Sequence, residues 1–341
     1  MKILVALSGG VDSSTAAAIL KRQGYEVAGA TMLFKGVEKE DIEYAKSACE
    51  ILNIKFHLFD FSEYYQNTII ENFVREYQSG RTPNPCVLCN EIIKFGVFLE
   101  KALEMGFDMI ATGHYAKIEE KEGIYLLKKG KDKNEQSYFL YRLSQRQLSK
   151  IILVLGDYTK EEIRKYAKEL KLPTAHRKKS QDVCFLPDMD YTTYLKNIVK
   201  EQPGPIFSKN GRKIGMHKGI FHFTWGQRKG IGISDEEPYY VIKIDPLDNA
   251  IYVGKKQDVY KKSLIANDLS FIFPCDFSDP MSVLAKTRYV APLSPAVVYL
   301  EDNRARVCFE KPQWAITPGQ SVVFYENDTV LGGGMISEVL D

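Results

Sequence analysis

Two groups of residues in this chain could do chemistry. The first is Leu7-Ser8-Gly9-Gly10-Val11-Asp12-Ser13-Ser14, a turn of glycines and hydroxyls that runs into a helix-forming stretch. Glycines let the backbone approach phosphate oxygens, serines add donors, and a helix N-terminus aims its positive end at the same point. That makes a phosphate cradle. A Walker loop would need a lysine directly before its Ser or Thr, and a dinucleotide fingerprint would need a third glycine at G-x-G-x-x-G spacing, so neither fits. A carboxylate at Asp12 beside phosphates needs bridging Mg²⁺ or backbone amides, which favours a site that handles pyrophosphate with metal. An aspartate N-cap behind a glycine turn is the plainer reading, and the strand-turn-helix setting argues against it.

The second group is cysteine. Cys86 and Cys89 stand in Arg81-Thr82-Pro83-Asn84-Pro85-Cys86-Val87-Leu88-Cys89-Asn90, behind a stiff Pro-x-Pro segment and just before a helix. A helix N-terminus depresses a thiol pKa, so Cys89 is expected to be a thiolate. Cys184, in Ser180-Gln181-Asp182-Val183-Cys184-Phe185, is flanked by Arg177, Lys178 and Lys179 and is expected to be activated as well. Cys49, Cys275 and Cys308 read as small inert hydrophobes. A lone C-x-x-C could be half a zinc site, but no second C-x-x-C or H-x-x-x-H pair accompanies it. Three thiolates converging on one cavity could instead hold a [4Fe-4S] cluster with one open iron, its ligands being Cys86, Cys89 and Cys184.

These residues need elements to position them. Apolar runs and helical stretches alternate: strand Ile3–Leu7, helix Asp12–Gln23, strand Val27–Phe34, helix Glu38–Leu52, strand Phe56–Phe61, helix Glu63–Tyr77, helix Asn90–Met105 and strand Met109–Thr112. This pattern predicts an α/β fold with a doubly wound parallel sheet. A hairpin around Gly123, helices over Gln145–Leu153 and Lys160–Leu170, a loop from Pro173 to Pro187 and a last helix Tyr191–Val199 follow. From Pro203 onward short β-type runs take over, which predicts a small central unit and then a C-terminal β-barrel. The expected division is 1–200, 201–256 and 257–341.

The 341 residues, 45% hydrophobic and 26% charged, suit two or three globular domains. No run approaches the roughly 20 apolar residues of a membrane helix, and Met1 sits one residue before the first strand, so neither membrane contact nor a leader is expected. The chain should be cytoplasmic. Net charge is only +2, and the basic runs Lys128–Lys133, His176–Lys179, Gln227–Lys229 and Lys255–Lys262 suit solvated surface as well as RNA.

Ser8-Gly9-Gly10-Val11-Asp12-Ser13 resembles the PP-loop of the N-type ATP pyrophosphatases, which split ATP to AMP and pyrophosphate and adenylate a carbonyl oxygen. Together with the cysteine segments, Ala111-Thr112-Gly113-His114-Tyr115-Ala116, Gln136-Ser137-Tyr138-Phe139-Leu140, Phe223-Thr224-Trp225-Gly226-Gln227-Arg228-Lys229-Gly230 and Thr317-Pro318-Gly319-Gln320, it makes the chain closely resemble the bacterial tRNA-specific 2-thiouridylases along essentially its whole length. The resemblance implies ATP with Mg²⁺, held by Ala6, Leu7, Ser8, Gly9, Gly10, Val11, Asp12 and Ser13, with Met32 and Gly113 adding backbone contacts. It implies Cys89 as nucleophile and Cys184 as the persulfide carrier, the two ending as a disulfide after sulfur replaces the adenylated O2 of the wobble uridine. The implied partners are tRNA and a sulfur-donor protein, either a cysteine desulfurase or a sulfur relay protein. Implied tRNA contacts are Asn84, Pro85, His114, Glu135, Gln136, Ser137, Arg288, Tyr289 and Gln320.

The chain departs from the common family pattern twice. Cys86 stands where many members have aspartate after Asn-Pro, so a general base there is missing, and Glu135-Gln136-Ser137 replaces Asp-Gln-Ser. Two rival readings are a PP-loop synthetase acting on a small molecule, which leaves Cys89 and Cys184 unexplained, and a non-catalytic RNA-binding protein, which leaves the PP-loop unexplained.

Overall fold

The computed structural model describes residues 1–177, 183–186, 189–272 and 280–340. Its first unit is built on β1 (Lys2–Ala6), β2 (Glu26–Leu33), β3 (Lys55–Asp60) and β4 (Met109–Ala111), followed by a hairpin, β5 (Ala116–Lys121) and β6 (Ile124–Lys129), and by β7 (Ile151–Ile152). Five of these strands form a parallel sheet in the order β3-β2-β1-β4-β7. Helices cover both faces, so β1 is buried along nearly all its length, as its unbroken Ile3-Leu4-Val5-Ala6 run requires. The chain winds outward from β1 through β2 to β3 and then returns to the other side of β1 with β4. That reversal leaves a crevice at the carboxyl ends of β1 and β4, where ligands of open α/β sheets bind.

One sequence expectation is corrected here and one is completed. The helix expected over Gln145–Leu153 is only Gln145–Leu148, because the β-branched pair Ile151-Ile152 joins the sheet beside β4 as β7. The hairpin around Gly123 is present as expected, and it joins the barrel sheet: β6 meets the C-terminal barrel through Lys128 and Thr329.

The central unit holds β8 (Gly204–Ser208), β9 (Lys213–His217), β10 (Tyr240–Asp245) and β11 (Ala250–Gly254), ordered β10-β11-β8-β9. The last unit holds β12 (Tyr260–Phe271), β13 (Met281–Lys286), β14 (Ser294–Glu301), β15 (Arg304–Trp314), β16 (Ser321–Glu326) and β17 (Thr329–Leu340). Pairing of β12 with β17 closes these six into a barrel and removes its open edges. One apolar cluster crosses the junction, uniting Leu127, Tyr138 and Tyr141 with Val323, Tyr325 and Val330. The barrel therefore completes the core of the first unit.

Among the described residues no helix is long and apolar enough to cross a membrane.

Candidate active site

The PP-loop lies at the crevice between β1 and β4. Helix α1 (Val11–Arg22) starts at Gly10, and no side chain caps that end, so first-turn amides are left to face an anion. The serines brace the loop: the Ser8 amide donates to Ser13 Oγ at 3.1 Å, and the Ser13 hydroxyl donates to the Gly10 carbonyl at 3.2 Å. Gly113, just after β4, packs directly on α1. A Cβ there would lie 2.7 Å from the Ser13 amide nitrogen and 2.9 Å from the Asp12 carbonyl carbon. Met32 is buried near the end of β2, and Ala6 ends β1.

Asp12 finds protein partners where the sequence pointed to Mg²⁺ or amides. The Tyr115 hydroxyl donates to its Oδ1 at 2.6 Å, and Lys160 Nζ contacts its Oδ2. Lys160 opens the helix Lys160–Glu169, behind a Thr159–Glu162 capping box, and its backbone amide donates to Asp132 at 2.7 Å. A second cation, Arg177, donates to the Gly9 carbonyl at 3.1 Å and to Asp41 Oδ1 at 2.6 Å. Lys160 and Arg177 arrive from distant segments and belong to no motif. Arg177 was expected to activate Cys184; it is instead engaged at the PP-loop. Lys178 and Lys179, the other expected activators, lie outside the described residues.

The cysteines sit at the start of a continuous helical segment made of Pro85–Cys89, Asn90–Val97 and Phe98–Glu104, the middle part being π-helical. Asn90 Nδ2 donates to the Phe139 carbonyl at 3.1 Å, and Glu91 pairs with Arg142 at 2.5 Å, which fixes the helix against its neighbours. Cys89 is 5% exposed, Cys86 is partly buried and Cys184 is exposed. Cys184 is fixed by its neighbour: Phe185 is buried edge-on against Phe73 at 5.1 Å and Tyr65 at 6.1 Å. Its backbone also abuts Gly36, where a Cβ would come 2.0 Å from the Cys184 carbonyl oxygen. The three thiols are close enough for Cys184 to raise the pKa of both Cys86 and Cys89.

The expected thiolate at Cys89 is corrected. Burial pushes its thiol up to about 12, while Lys94 only partly opposes this. Lys94 stands five residues on, the π-helical register that brings it back over Cys89. Below about pH 12 Cys89 is thus mostly a neutral thiol, and its reactive fraction rises about tenfold per pH unit. Iodoacetamide with peptide mass spectrometry should therefore label exposed Cys184 well before Cys89 at neutral pH, with Cys89 catching up in alkali. Equal labelling at neutral pH would contradict this.

The iron–sulfur ligand set Cys86, Cys89 and Cys184 finds no support. Among the described residues no three His, Cys, Asp or Glu side chains are arranged to hold a metal ion. Cys86, Cys89 and Cys184 approach one another without forming such a triad, and the Cys184 thiol is hydrogen-bonded to Tyr65 at 3.2 Å. Cys49 is buried with its pKa raised by burial, as an inert thiol should be, and Cys308 is partly buried. Cys275 lies outside the described residues.

Comparison with known proteins matches three consecutive family models: a tRNA methyl transferase HUP domain over residues 1–188, a tRNA methyl transferase PRC-barrel domain over 192–255 and an aminomethyltransferase beta-barrel domain over 261–336. The tRNA-specific 2-thiouridylase MnmA of Halothermothrix orenii is 45% identical over 354 residues, covering 99% of each chain. MnmA 2 of Thermoanaerobacter sp. is 47% identical, covering 99% of this chain and 98% of that one. The chain belongs to the tRNA-specific 2-thiouridylase family. An NMN synthetase structure from Francisella tularensis is 16% identical over 52% of this chain and 66% of that one, with a TM-score of 0.36.

Of the residues that the 2-thiouridylase resemblance connects with tRNA, Arg288, Tyr289 and Gln320 tie the barrel to the other units, whereas Glu135, Gln136, Ser137 and His114 make hydrogen bonds within the first unit. Ser137 is fully buried and donates to Glu135 Oε2 at 2.5 Å; Gln136 Oε1 accepts from the Tyr115 amide at 3.0 Å. None of Glu135, Ser137 and His114 presents a side chain to the surface. The His114 ring is hydrogen-bonded to Thr112 at 2.7 Å, and burial holds its pKa well below the usual value, so it is a neutral ring at pH 7. Arg288 donates to the Trp225 carbonyl at 3.2 Å and to Thr317, and Tyr289 packs on Phe139 at 4.6 Å. Asn84 precedes the cysteine helix, whose first residue is the buried Pro85.

Gln320 has the most direct link to the cysteines. Its Nε2 donates to the carbonyls of Thr82 at 2.9 Å and Pro83 at 3.1 Å, while the Thr82 amide donates to the Pro318 carbonyl at 2.9 Å. The barrel thereby holds the segment leading into Cys86. Gln320→Ala removes two hydrogen bonds worth about 1 kcal/mol each. We expect a severalfold fall in the rate of sulfur transfer and a melting point lower by a few degrees, with ATP affinity unchanged. An unaltered transfer rate would remove Gln320 from this role.

Proposed function

We propose that this protein is a tRNA-uridine 2-sulfurtransferase. It uses ATP to adenylate O2 of the wobble uridine and replaces that oxygen with sulfur carried on Cys184. The observation that carries this reading is the adjacency of two chemistries. The helix Lys39–Ile51 meets the PP-loop at Asp41, through Arg177 and Gly9, and the loop between β2 and that helix touches the backbone of Cys184 at Gly36. A nucleotide cradle and a paired-thiol site thus share one wall, as an adenylate formed at one and attacked from the other requires.

ATP would lie on the α1 amides, braced by Ser8 and Ser13, with Lys160 and Arg177 near the phosphates. Asp12, held by Tyr115 and Lys160, is the carboxylate that would face Mg²⁺ carried on the ATP phosphates, where the metal would offset phosphate charge. The reacting uridine O2 attacks the α-phosphorus and displaces pyrophosphate. The terminal sulfur of a Cys184 persulfide then attacks C2; the C2–O bond breaks and oxygen leaves on AMP. Cys89, deprotonated, attacks Cys184 Sγ, cleaving the bond to the transferred sulfur. The products are 2-thiouridine and a Cys89–Cys184 disulfide, which a thiol reductant reopens.

RNA binding is supported by a cavity of about 750 Å³ where the three units meet, lined by Arg81, Lys209, Lys243 and Lys261 together with Asp258 and Glu338, beside Trp225 and Tyr252. Cations with aromatic faces suit phosphates and unstacked bases. The paired thiols favour sulfur transfer over a small-molecule synthetase.

The test is incubation with ATP, a sulfur donor and unmodified tRNA, followed by nucleoside mass spectrometry. 2-Thiouridine that depends on ATP is expected; its absence with a proven sulfur donor would overturn the proposal.

A further inference from the structure

Tyr65 belongs to no motif, yet it stands at the centre of the cysteine site. It is 1% exposed, its ring stacks on Phe34 at 4.3 Å and 7°, and Phe185 meets it edge-on. Its only polar atom is spent on sulfur: Oη lies 3.2 Å from Cys184 Sγ. Burial, with Cys184, Cys89 and Cys86 nearby, pushes the phenol pKa far up, so the hydroxyl keeps its proton at any pH at which the enzyme works. It is therefore a donor to the sulfur whenever that sulfur is a thiolate.

The local helix geometry points the same way. Tyr65 ends the turn Ser62–Tyr65 exactly where a π-helical stretch, Gln66–Ile70, begins, and the second π-helical stretch, Asn90–Val97, begins directly after Cys89. Such stretches cost hydrogen-bond quality and are found often at functional sites. Here they flank the two sides of one thiol cluster.

We propose that Tyr65 is a positioning residue for sulfur transfer: its hydroxyl donates to Cys184 Sγ and holds that sulfur facing Cys89 to receive and release the transferred sulfur. The proposal rests on the sulfurtransferase reading. Phe185 seats the backbone of Cys184, and Tyr65 fixes the thiol itself, which is otherwise on an exposed segment. In the loading step the Cys184 thiolate attacks the sulfane sulfur of a donor persulfide; the new S–S bond forms as the donor thiolate leaves, so no further oxidant is needed. In the release step Cys89 must approach Sγ along the bond to the transferred sulfur, and a rotating Cys184 would miss that line.

Tyr65→Phe tests this, because it keeps the stacked ring and removes only the hydroxyl. Losing the hydrogen bond to the reacting sulfur should slow single-turnover sulfur transfer about tenfold to a hundredfold, with the KM values for ATP and tRNA and the pyrophosphate released on adenylation unchanged. Iodoacetamide capture of Cys184 at pH 7, followed by mass spectrometry without ATP or tRNA, should slow as well, since the attacking sulfur loses the Tyr65 hydroxyl that donates to it. That second readout stands even if the substrate is not tRNA. A Tyr65→Phe protein with wild-type transfer and wild-type Cys184 capture would overturn the proposal, leaving Tyr65 a packing residue. Tyr65→Leu, checked by thermal melting, gives the cost of the ring itself. If it slows transfer no more than Tyr65→Phe does, the hydroxyl carries the effect; if Tyr65→Phe alone is silent, the ring does.

Discussion

Cys89→Ser and Cys184→Ser proteins should each lose at least about a thousandfold in 2-thiouridine formation while still releasing pyrophosphate on their first turnover. Serine matches cysteine in shape at both positions, so packing and the nucleotide site are spared. A hydroxyl cannot carry a persulfide, and an alkoxide is too basic to displace sulfur from Sγ. The two variants should stop at different points. Without Cys184 no sulfur reaches C2, and adenylated tRNA persists until water takes it. Without Cys89 the sulfur reaches C2 but stays bonded to Cys184, so tRNA should be retained on the protein as an adduct that dithiothreitol releases as 2-thiouridine. Gel electrophoresis with and without reductant reads the difference. An adduct formed equally by Cys184→Ser would reverse the assigned roles.

The second large effect belongs to a residue with no functional group. Gly113→Ala would place a methyl 2.7 Å from the Ser13 nitrogen and 2.9 Å from the Asp12 backbone, both rigid parts of α1. Neither can yield without moving the loop, and Asp12 would leave Tyr115 and Lys160. ATP affinity should fall at least a hundredfold, whereas tRNA affinity changes little; isothermal titration with ATP and filter binding of tRNA separate the two. Near-normal ATP binding would mean that the nucleotide does not sit at the β1–β4 crevice.

Much of this was legible in the sequence, and the reasons differ by residue. The strand–turn–helix around Ser8 to Ser13 was legible because a glycine-serine turn between an apolar run and an alanine-rich stretch is a contiguous signal. The parallel sheet read correctly because a strand buried on both faces is apolar throughout. Ile151-Ile152 misled because a strand of two residues after a short helix has the periodicity of neither. Lys160, Arg177 and Tyr65 carry no local signal: the fold brings each to its place from a different segment. Cys89 misled for an energetic reason, since the helix N-terminus that lowers a thiol pKa is outweighed by burial at 5% exposure. The barrel's share in the catalytic unit was equally hidden, because Tyr138, Tyr141 and Tyr325 form one core only after two distant segments meet.

The central claim is that the uridine O2 itself is adenylated at the PP-loop. It is tested most directly with tRNA carrying ¹⁸O at O2 of the wobble uridine, by mass spectrometry of the nucleotide released during thiolation. The account predicts AMP bearing one ¹⁸O in its phosphate for each 2-thiouridine made, together with unlabelled pyrophosphate. Unlabelled AMP, or release of ADP and phosphate, would contradict it.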